Sequence, residues 1–337
     1  MKNNTLRSIV LCLAAASAAN AADSKFTLKE DAHGVSVSVD GKPFANYVID
    51  QTNKPYLWPV YGPTGKAMTR AFPMEEVPTE TKVQRDHYHH RGMNFGHESI
   101  GGWDTWSERG THEPGLKNAK SGGSAQTRLD LLGSIRHVKF TELKTDADKA
   151  TIAEICEYVD SSGKRILTEE RRLTFRSSGD SRSIDFDQDF LATDGEVKFE
   201  DKKDAGLSIR VPASMAVDSK EGGKIVNSEG ITDKDAWSKP AKWCDYSGPV
   251  EGENLGIAFL NHPSSFRYPT RWHVRSYGLF TANPFASKQY DKELPDGATV
   301  VMAGEKLKLR HRFVFHKGDA QAAGVPALFE AYSKETR

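Results

Sequence analysis

The chain has 337 residues, 27% of them charged, and its 46 Lys and Arg residues balance 46 Asp and Glu residues. This balance excludes the basic domain or stripe that usually marks a nucleic-acid-binding protein. The length is enough for one large core, and the composition is that of a water-soluble globule.

The first residues predict export. Two basic residues precede an apolar run from Ile9 to Ala16, and small residues follow up to Ala19-Asn20-Ala21. This order matches a secretory signal peptide, with an apolar region of about 7–15 residues and an A-x-A cleavage site. The run is too short to span a bilayer, which needs about 20 apolar residues. We therefore expect a signal peptide at 1–21 and a periplasmic or secreted product, 22–337, with no membrane contact.

Short alternating runs predict β-strands along most of the remaining chain. Val35, Val37 and Val39 alternate with polar residues, and Asp40-Gly41 then turns into 44–49, which is typical of a β-hairpin. Similar runs lie at 128–132, 137–143, 150–158, 166–175, 183–192, 207–212, 253–260, 272–280 and 306–316. Helical periodicity is convincing only at 320–336. The sequence therefore predicts one all-β domain, a large antiparallel β-sandwich with a C-terminal helix.

Two cysteines, Cys156 and Cys244, remain after removal of the signal peptide. In an oxidising compartment they could form a disulfide, and two buried thiols are the alternative. The chain has no C-x-x-C motif, so we expect no cysteine-based zinc site.

Residues 50–125 interrupt the strand pattern with many Pro, Gly, His and Trp residues. A long irregular stretch inside a compact domain is usually functional. Within it, the segment 86–98 holds four of the eleven histidines. If this segment were a strand, His87 and His89 would face one side and His90 the other.

These histidines are candidates for catalysis, metal binding or substrate binding. His87 and His89 could act as acid or base, or could bind a divalent metal together with His97. The spacing lacks the H-E-x-x-H pattern that predicts zinc, so the metal stays an open alternative. We expect His90, Arg91 and His97 to contact the substrate. Histidines that only hydrogen-bond within a polar core are the competing interpretation.

The adjoining segment places two tryptophans beside two carboxylates. Trp103 and Trp106 alternate with Asp104 and Glu108. Indole rings stack on the apolar face of a sugar, and carboxylates accept hydrogen bonds from its hydroxyls. We expect both tryptophans and Glu108 to bind a carbohydrate, with Glu98 or Asp104 as a catalytic carboxylate. Aromatic residues are also ordinary core material.

A second polar segment lies at 261–283. On one strand, Arg271, His273 and Arg275 would share a face, which could hold a carboxylate, another oxyanion or an acidic sugar. A solvated face with internal acidic partners is the alternative. We expect His273 to be catalytic and Arg271 to contact the substrate. His262 and Asn283 are further substrate-binding candidates, although an Asn before Pro also forms turns.

Several of these stretches resemble a known family, the one labelled methane oxygenase PmoA. They sample most of the chain and lie at 54–56, 59–63, 86–97, 102–108, 261–263, 270–285 and 309–318. The resemblance implies an exported bacterial protein associated with sugar catabolism, with a supersandwich similar to that of galactose mutarotases and no settled catalytic residues. It does not imply the chemistry of its label, because a membrane methane monooxygenase subunit needs several spanning helices.

Three functions fit these residues. The first is a carbohydrate-active enzyme that transfers protons on a sugar or glycoside, as an epimerase, hydrolase or lyase. The second is a non-catalytic carbohydrate-binding protein, and the third is a metal-dependent oxidase. The concentration of imidazoles, carboxylates and arginines favours the enzyme. We expect segments 86–108 and 262–283 to meet across one concave β face, with His89 and His273 in one pocket.

Overall fold

The computed structural model describes residues 25–118, 120 and 122–337 of the chain, so the predicted signal peptide lies outside the described residues. No helix in this part of the chain has the length and apolar character needed to cross a membrane. The elements, numbered along the chain, are β1 Phe26–Asp31, β2 Gly34–Val39, β3 Lys42–Val48, β4 Tyr56–Val60, β5 Met93–His97, α1 Arg109–Leu116, α2 Gly122–Asp130, β6 Ser134–Thr145, β7 Lys149–Val159, β8 Arg165–Ser178, β9 Ser181–Leu191, β10 Val197–Phe199, β11 Ala205–Arg210, β12 Lys224–Asn227, β13 Trp243–Val250, β14 Glu253–Asn261, β15 Arg271–Val274, β16 Leu279–Asn283, β17 Thr299–Val301, β18 Lys306–Lys317 and α3 Val325–Tyr332.

Two eight-stranded antiparallel sheets make up the sandwich. The first sheet has the order β1-β2-β3-β4-β5-β11-β16-β15, and the second has the order β12-β13-β14-β18-β9-β8-β7-β6. Their apolar inner faces pack together; Phe95 of the first sheet, for example, lies 5.0 Å from Phe190 of the second between ring centroids. The predicted all-β antiparallel sandwich with a C-terminal helix is confirmed, because α3 follows the last strand.

The predicted hairpin at 34–49 is confirmed as β2 and β3, which pair in antiparallel register. Asp40 and Gly41 connect them with φ of +50° and +70°. Positive φ at both central residues is the signature of a type I′ turn, whose twist matches that of the flanking strands. Within β2, the valines point to the core and the serines between them point to the other face, because side chains alternate along a strand.

Three predicted elements differ from the structure. The strand expected at 128–132 is wrong, because Gly122–Asp130 forms helix α2. The strand expected at 272–280 is two strands, β15 and β16, which pair with each other on either side of a turn. The C-terminal helix is shorter than expected and covers Val325–Tyr332.

A charged network lies inside the sandwich, between the two sheets. Arg171 of β8 donates from Nε and Nη2 to the two carboxylate oxygens of Glu169, at 2.7 and 2.8 Å, and from Nη1 to the Tyr47 hydroxyl at 2.8 Å. Tyr158 and Gln188 also donate to Glu169. Glu169 and its neighbours raise the pKa of Arg171, against the effect of burial. A buried charge is tolerated when it is paired and fully hydrogen-bonded, as here.

The two cysteines are both buried and free, so no disulfide joins Cys156 to Cys244. Burial raises the pKa of each thiol. Of the two alternatives that the sequence left open, the structure has the pair of buried thiols. Thiols held in the protonated form in an apolar environment are poor nucleophiles.

The Arg171→Ala variant should lose about 3–5 kcal/mol in the free energy of unfolding, because Glu169 would be left buried without its partner. Arg172→Ala is the matched control, since the neighbouring guanidinium is 48% exposed and pairs with Glu142 at the surface. The control should lose less than about 1 kcal/mol. Urea unfolding measures both values, and equal losses in the two variants would contradict the buried ion pair.

Candidate functional site

A cavity of about 740 Å³ lies on the outer face of the first sheet. Four stretches line it. They are 87–90, the region 98–128 with α1 and most of α2, 203–204 just before β11, and 273–277, which covers the end of β15 and the turn that follows it. The outer face is the one that points away from the core, yet it is buried there because these segments cover it. A cavity of this volume lies within the range of about 300–1,000 Å³ that small-molecule sites occupy.

Polar side chains form a row on the outer face beneath this cover. Asn94, Ser208, Thr281 and His273 are aligned across β5, β11, β16 and β15. All four are buried. Their neighbours along the strands, such as Phe95 and Leu207, point inward to the core, as the period of two requires. The sheet therefore presents an apolar face to the core and a polar face to the covering segments.

Gly96 allows one of these segments to lie directly against β5. A Cβ atom at this position would come within 2.9 Å of both the Thr105 carbonyl oxygen and the Trp106 Cα. Only glycine permits such a close backbone approach. The segment is thereby held in the position from which Trp106 lines the cavity.

Asp86 holds the histidine segment against the sheet. Its Oδ1 accepts hydrogen bonds from Arg70 Nη1 at 2.8 Å and from Arg210 Nη2 at 2.6 Å, while its Oδ2 lies 2.6 Å from His87 Nδ1. Burial opposes the charge of Asp86, but the His87 hydrogen bond and the two guanidiniums outweigh it and lower its pKa to about 2. The carboxylate is therefore ionised and accepts from all three partners.

The two predicted site segments meet at His87, as expected. His87 adopts a left-handed backbone conformation with φ of +45°. Its ring stacks in parallel between His90, at 4.8 Å, and Tyr277 of the β15–β16 turn, at 5.0 Å. His89 and His273 both line the cavity. The segment is not a strand, so His87, His89 and His90 all reach one cavity and the expected separation of His90 is wrong.

The buried imidazoles in the cavity are neutral. Burial, together with neighbouring cations and imidazoles, lowers the pKa of His89 and of His90 well below the usual value of 6.5. Burial and the charges of Arg275 and Lys203 lower the pKa of His273 to about 3. Arg210 Nη1 lies 2.9 Å from His90 Nδ1. A guanidinium can only donate, so His90 Nδ1 accepts and the proton is on Nε2.

Two carboxylates face the same cavity from adjacent strands. The Glu98 amide donates to the Asp204 carbonyl at 3.0 Å and extends the β5–β11 ladder by one residue. Side chains of directly opposed residues have Cβ atoms about 4.5–5.5 Å apart. Arg128 of α2 contacts the Glu98 carboxylate, and Lys203 Nζ lies 3.3 Å from Asp204 Oδ2. The cavity therefore contains a pair of neighbouring carboxylates, each with its own cation.

Three predicted site residues lie behind the cavity and support it. Arg91 Nε donates to both carboxylate oxygens of Glu108, at 2.9 Å each. The buried Lys54 ammonium donates to the Trp106 carbonyl at 2.7 Å. Asp104 Oδ1 accepts from the amides of Trp106 and of the residue after it, and its carboxyl borders a smaller cavity of about 390 Å³. These side chains fix the backbone of 104–108 and do not line the main cavity.

The other predicted site residues lie elsewhere. His97 has the same parity on β5 as Phe95, so it points inward and packs on Phe199 and Phe285. Trp103 is half-buried outside the cavity and pairs with Ile100.

His262 contacts Tyr332 of α3 instead. Arg271 donates to the Ser238 carbonyl and borders a separate cavity of about 310 Å³. Asn283 donates to two backbone carbonyls and accepts from two amides, so its amide group is fully used in a turn. Arg271, His273 and Arg275 do not share one strand face as expected, because β15 ends at Val274 and Arg275 lies in the turn after it.

The metal alternative loses its predicted ligand set, because His97 lies on the opposite face of the sheet from His87 and His89. Among the described residues, no group of three or more His, Cys, Asp or Glu side chains has the geometry to hold a metal ion.

The sequence did not single out several residues that line the cavity. His112 and Arg128 belong to α1 and α2, whose sequences lack a clear helical period. Asp204 follows two lysines immediately before β11, in a charged stretch of the kind that is typical of turns. Its place in the strand pattern could have predicted its direction. Asp204 is an odd number of residues from the inward-facing Leu207 and Ile209, so its side chain points to the outer face.

One family model matches residues 34–330, and its description is "Family of unknown function (DUF6807)". No curated protein matches the chain. These results give no support to the resemblance to the PmoA family.

Three solved structures are similar to the chain at low identity. They are an α-galactosidase from Lactobacillus brevis (9% identity, 93% of this chain and 43% of that chain, TM-score 0.39), a galactose mutarotase-like protein from Lactobacillus casei ATCC 334 (8%, 86% and 100%, 0.35) and a galactose 1-epimerase from Lactobacillus acidophilus NCFM (9%, 87% and 98%, 0.34). The chain thus spans 43% of the length of the α-galactosidase. With TM-scores below 0.5, these similarities carry no argument about the site.

The His273 imidazole should stay neutral from pH 8 to pH 5, because burial and the adjacent cations oppose its protonation. His33 is the internal control: it is exposed, and its hydrogen bond to Asp50 raises its pKa. Two-dimensional NMR of the imidazole nitrogens should show His33 titrating above pH 6.5 and His273 not titrating. A His273 midpoint near 6.5 would contradict the burial of this imidazole beside two cations.

Proposed function

The chain belongs to the DUF6807 family, whose description assigns no function, and from the geometry of the cavity we propose an enzyme that transfers protons on a sugar or glycoside. The observation that carries the proposal is the pair of adjacent carboxylates, Glu98 and Asp204, in a cavity that also contains neutral imidazoles. Epimerases, hydrolases and lyases all use groups of this kind.

The lining of the cavity suits a ligand rich in hydroxyl groups. Ser107 and Thr111 contribute hydroxyls, and His89 Nδ1 lies 3.0 Å from the Thr111 hydroxyl. Trp106 borders the cavity with an indole ring that is 4% exposed, and the exposed part can contact the C–H groups of a pyranose. A site with several hydrogen-bonding groups and one aromatic surface matches the mixed polarity of a sugar better than that of an apolar ligand.

The carboxylate pair can complete a proton-transfer cycle by itself. One carboxylate accepts a proton from a sugar carbon, a hydroxyl or a water molecule, and the carboxyl group so formed, or its neighbour after exchange, returns that proton to the oxygen or carbon that needs it. The total charge of the pair is then the same before and after a turnover. Because Glu98 and Asp204 are directly opposed residues on neighbouring stretches of the sheet, we assign the function to the pair and not to either residue alone.

The imidazoles have two different roles in this proposal. His89, His90 and His273 have lowered pKa values, so they orient hydroxyls as neutral donors or acceptors instead of acting as general acids. His87 differs, because its Nδ1 is hydrogen-bonded to the ionised Asp86 carboxylate. A carboxylate at Nδ1 fixes the tautomer and the orientation of the ring, so His87 is the imidazole that we assign to proton transfer beside the pair.

Glu98→Gln and Asp204→Asn should each lower kcat by about 100-fold or more, because each removes one proton-transferring group. Substrate affinity should change little, since the amide keeps the size of the carboxylate. The assay is turnover of a panel of sugars and glycosides in D2O, followed by NMR, which detects both cleavage and exchange at carbon. Glu170→Gln, on the second sheet and exposed, is the control and should keep full activity.

The same assay separates the alternative functions. A wild-type protein that binds sugars but neither converts them nor exchanges their protons would be a carbohydrate-binding protein, as the second interpretation has it. Activity lost on treatment with a chelator and restored by a divalent metal would favour the metal-dependent enzyme instead.

We also propose that the chain is exported and cleaved after Ala21. Cleavage there leaves all described strands intact, because β1 begins at Phe26. The mature protein recovered from the periplasm or medium should start at Ala22, as measured by intact mass. Ala19→Arg should block cleavage, because the A-x-A site requires a small residue at this position. An uncleaved cytoplasmic product of the unaltered chain would contradict export.

A further inference from the structure

The charged side chains of the cavity do not balance. Three cations, Arg128, Lys203 and Arg275, line it together with the carboxylates of Glu98 and Asp204. Arg128 is paired with Glu98, and Lys203 with Asp204. Arg275 forms no ion pair with any carboxylate in the described part of the chain. The neutral imidazoles add no charge, so one positive charge in the cavity lacks a counterpart.

Aromatic rings hold Arg275 in place without neutralising it. Its guanidinium lies 5.6 Å from the Trp237 ring centroid and 5.5 Å from that of Tyr277. The Arg275 amide donates to the Leu279 carbonyl at 2.8 Å and closes the turn after β15. Contacts with aromatic faces leave the N–H groups in the plane of a guanidinium free to donate. Arg275 is therefore a fixed and uncompensated hydrogen-bond donor.

His273 lies beside Arg275 and adds no charge to this end of the cavity. It precedes Arg275 by two residues, is buried to 2% exposure, and lines the same cavity. Burial, together with the charges of Arg275 and Lys203, lowers the pKa of its imidazole to about 3. The positive charge at this end of the cavity is therefore that of the Arg275 guanidinium.

We propose that the substrate is an acidic sugar whose carboxylate binds Arg275. This inference rests on the proposed function and names its substrate class. The planar fork of a guanidinium matches a carboxylate in two parallel hydrogen bonds. A phosphate dianion would bring a second negative charge close to Asp204 and Glu98, and the side chains that line the cavity include no further unpaired cation to offset it. The charges thus favour a uronate over a sugar phosphate.

The test measures binding by calorimetry, with methyl uronides of several configurations, their neutral methyl glycosides and the matching sugar 6-phosphates as probes. At least one uronide should bind about tenfold or more tightly than its neutral parent, as expected for a charge-assisted pair. Arg275→Gln should abolish this preference while leaving the affinity for the neutral parent within about twofold. Arg275→Lys should keep only part of the preference, because it keeps the charge and loses the fork.

Arg271→Gln is the matched control, since Arg271 is two residues before His273 on β15 and borders a different cavity. It should keep the full preference, and thermal unfolding verifies that all variants are folded. A uronide preference that survives in Arg275→Gln, equal affinity for uronides and neutral sugars, tighter binding of phosphates, or no binding of any uronide would each overturn the inference. Uronide binding without turnover would leave it standing and would count against the proposed enzyme alone.

Discussion

The Asp86 carboxylate is the contact on which the position of the histidine segment depends. It accepts from Arg70, which follows β4, from Arg210, at the end of β11, and from His87 in its own segment. Both guanidiniums are almost completely buried. Buried cations without a partner are costly, so the segment cannot leave the sheet without exposing or isolating two charges. The same contact orients the His87 ring, and the His90 ring that stacks on His87 is oriented with it.

The sequence predicts the fold better than it predicts the arrangement inside the site. The valines of β2 recur at every second residue, as expected for a strand with one buried face, and the other core strands follow the same alternation. The same rule misplaces His90, because His87 adopts φ of +45° and β5 does not begin until Met93. Alternation holds only within a strand, so it correctly describes His97, which shares the parity of Phe95 and points inward. Reading that parity from the sequence would have removed His97 from the site.

Contacts between distant strands explain what the sequence could not provide. Glu98 and Asp204 are neighbours only because β5 lies beside β11, and nothing local to either residue specifies this pairing. Sheet order depends on which apolar faces pack together across the whole domain. Similarly, Arg128 reaches Glu98 from a helix whose residues show no clear period. Clusters of histidine and tryptophan locate the site in the sequence, whereas the carboxylate pair emerges only from the topology.

The outer face of the first sheet indicates that the site is kept at a cost in stability. His273 and Thr281 are paired across β15 and β16, both are buried, and His273 Nδ1 and Thr281 Oγ1 have no hydrogen-bond partner among the described residues. A buried polar group without a partner costs about 1–3 kcal/mol. By contrast, the charged network around Arg171, between the sheets, has all its guanidinium groups engaged. The cover over this face is therefore kept at a cost that its own contacts, such as those of Asp86 with Arg70 and Arg210, must offset.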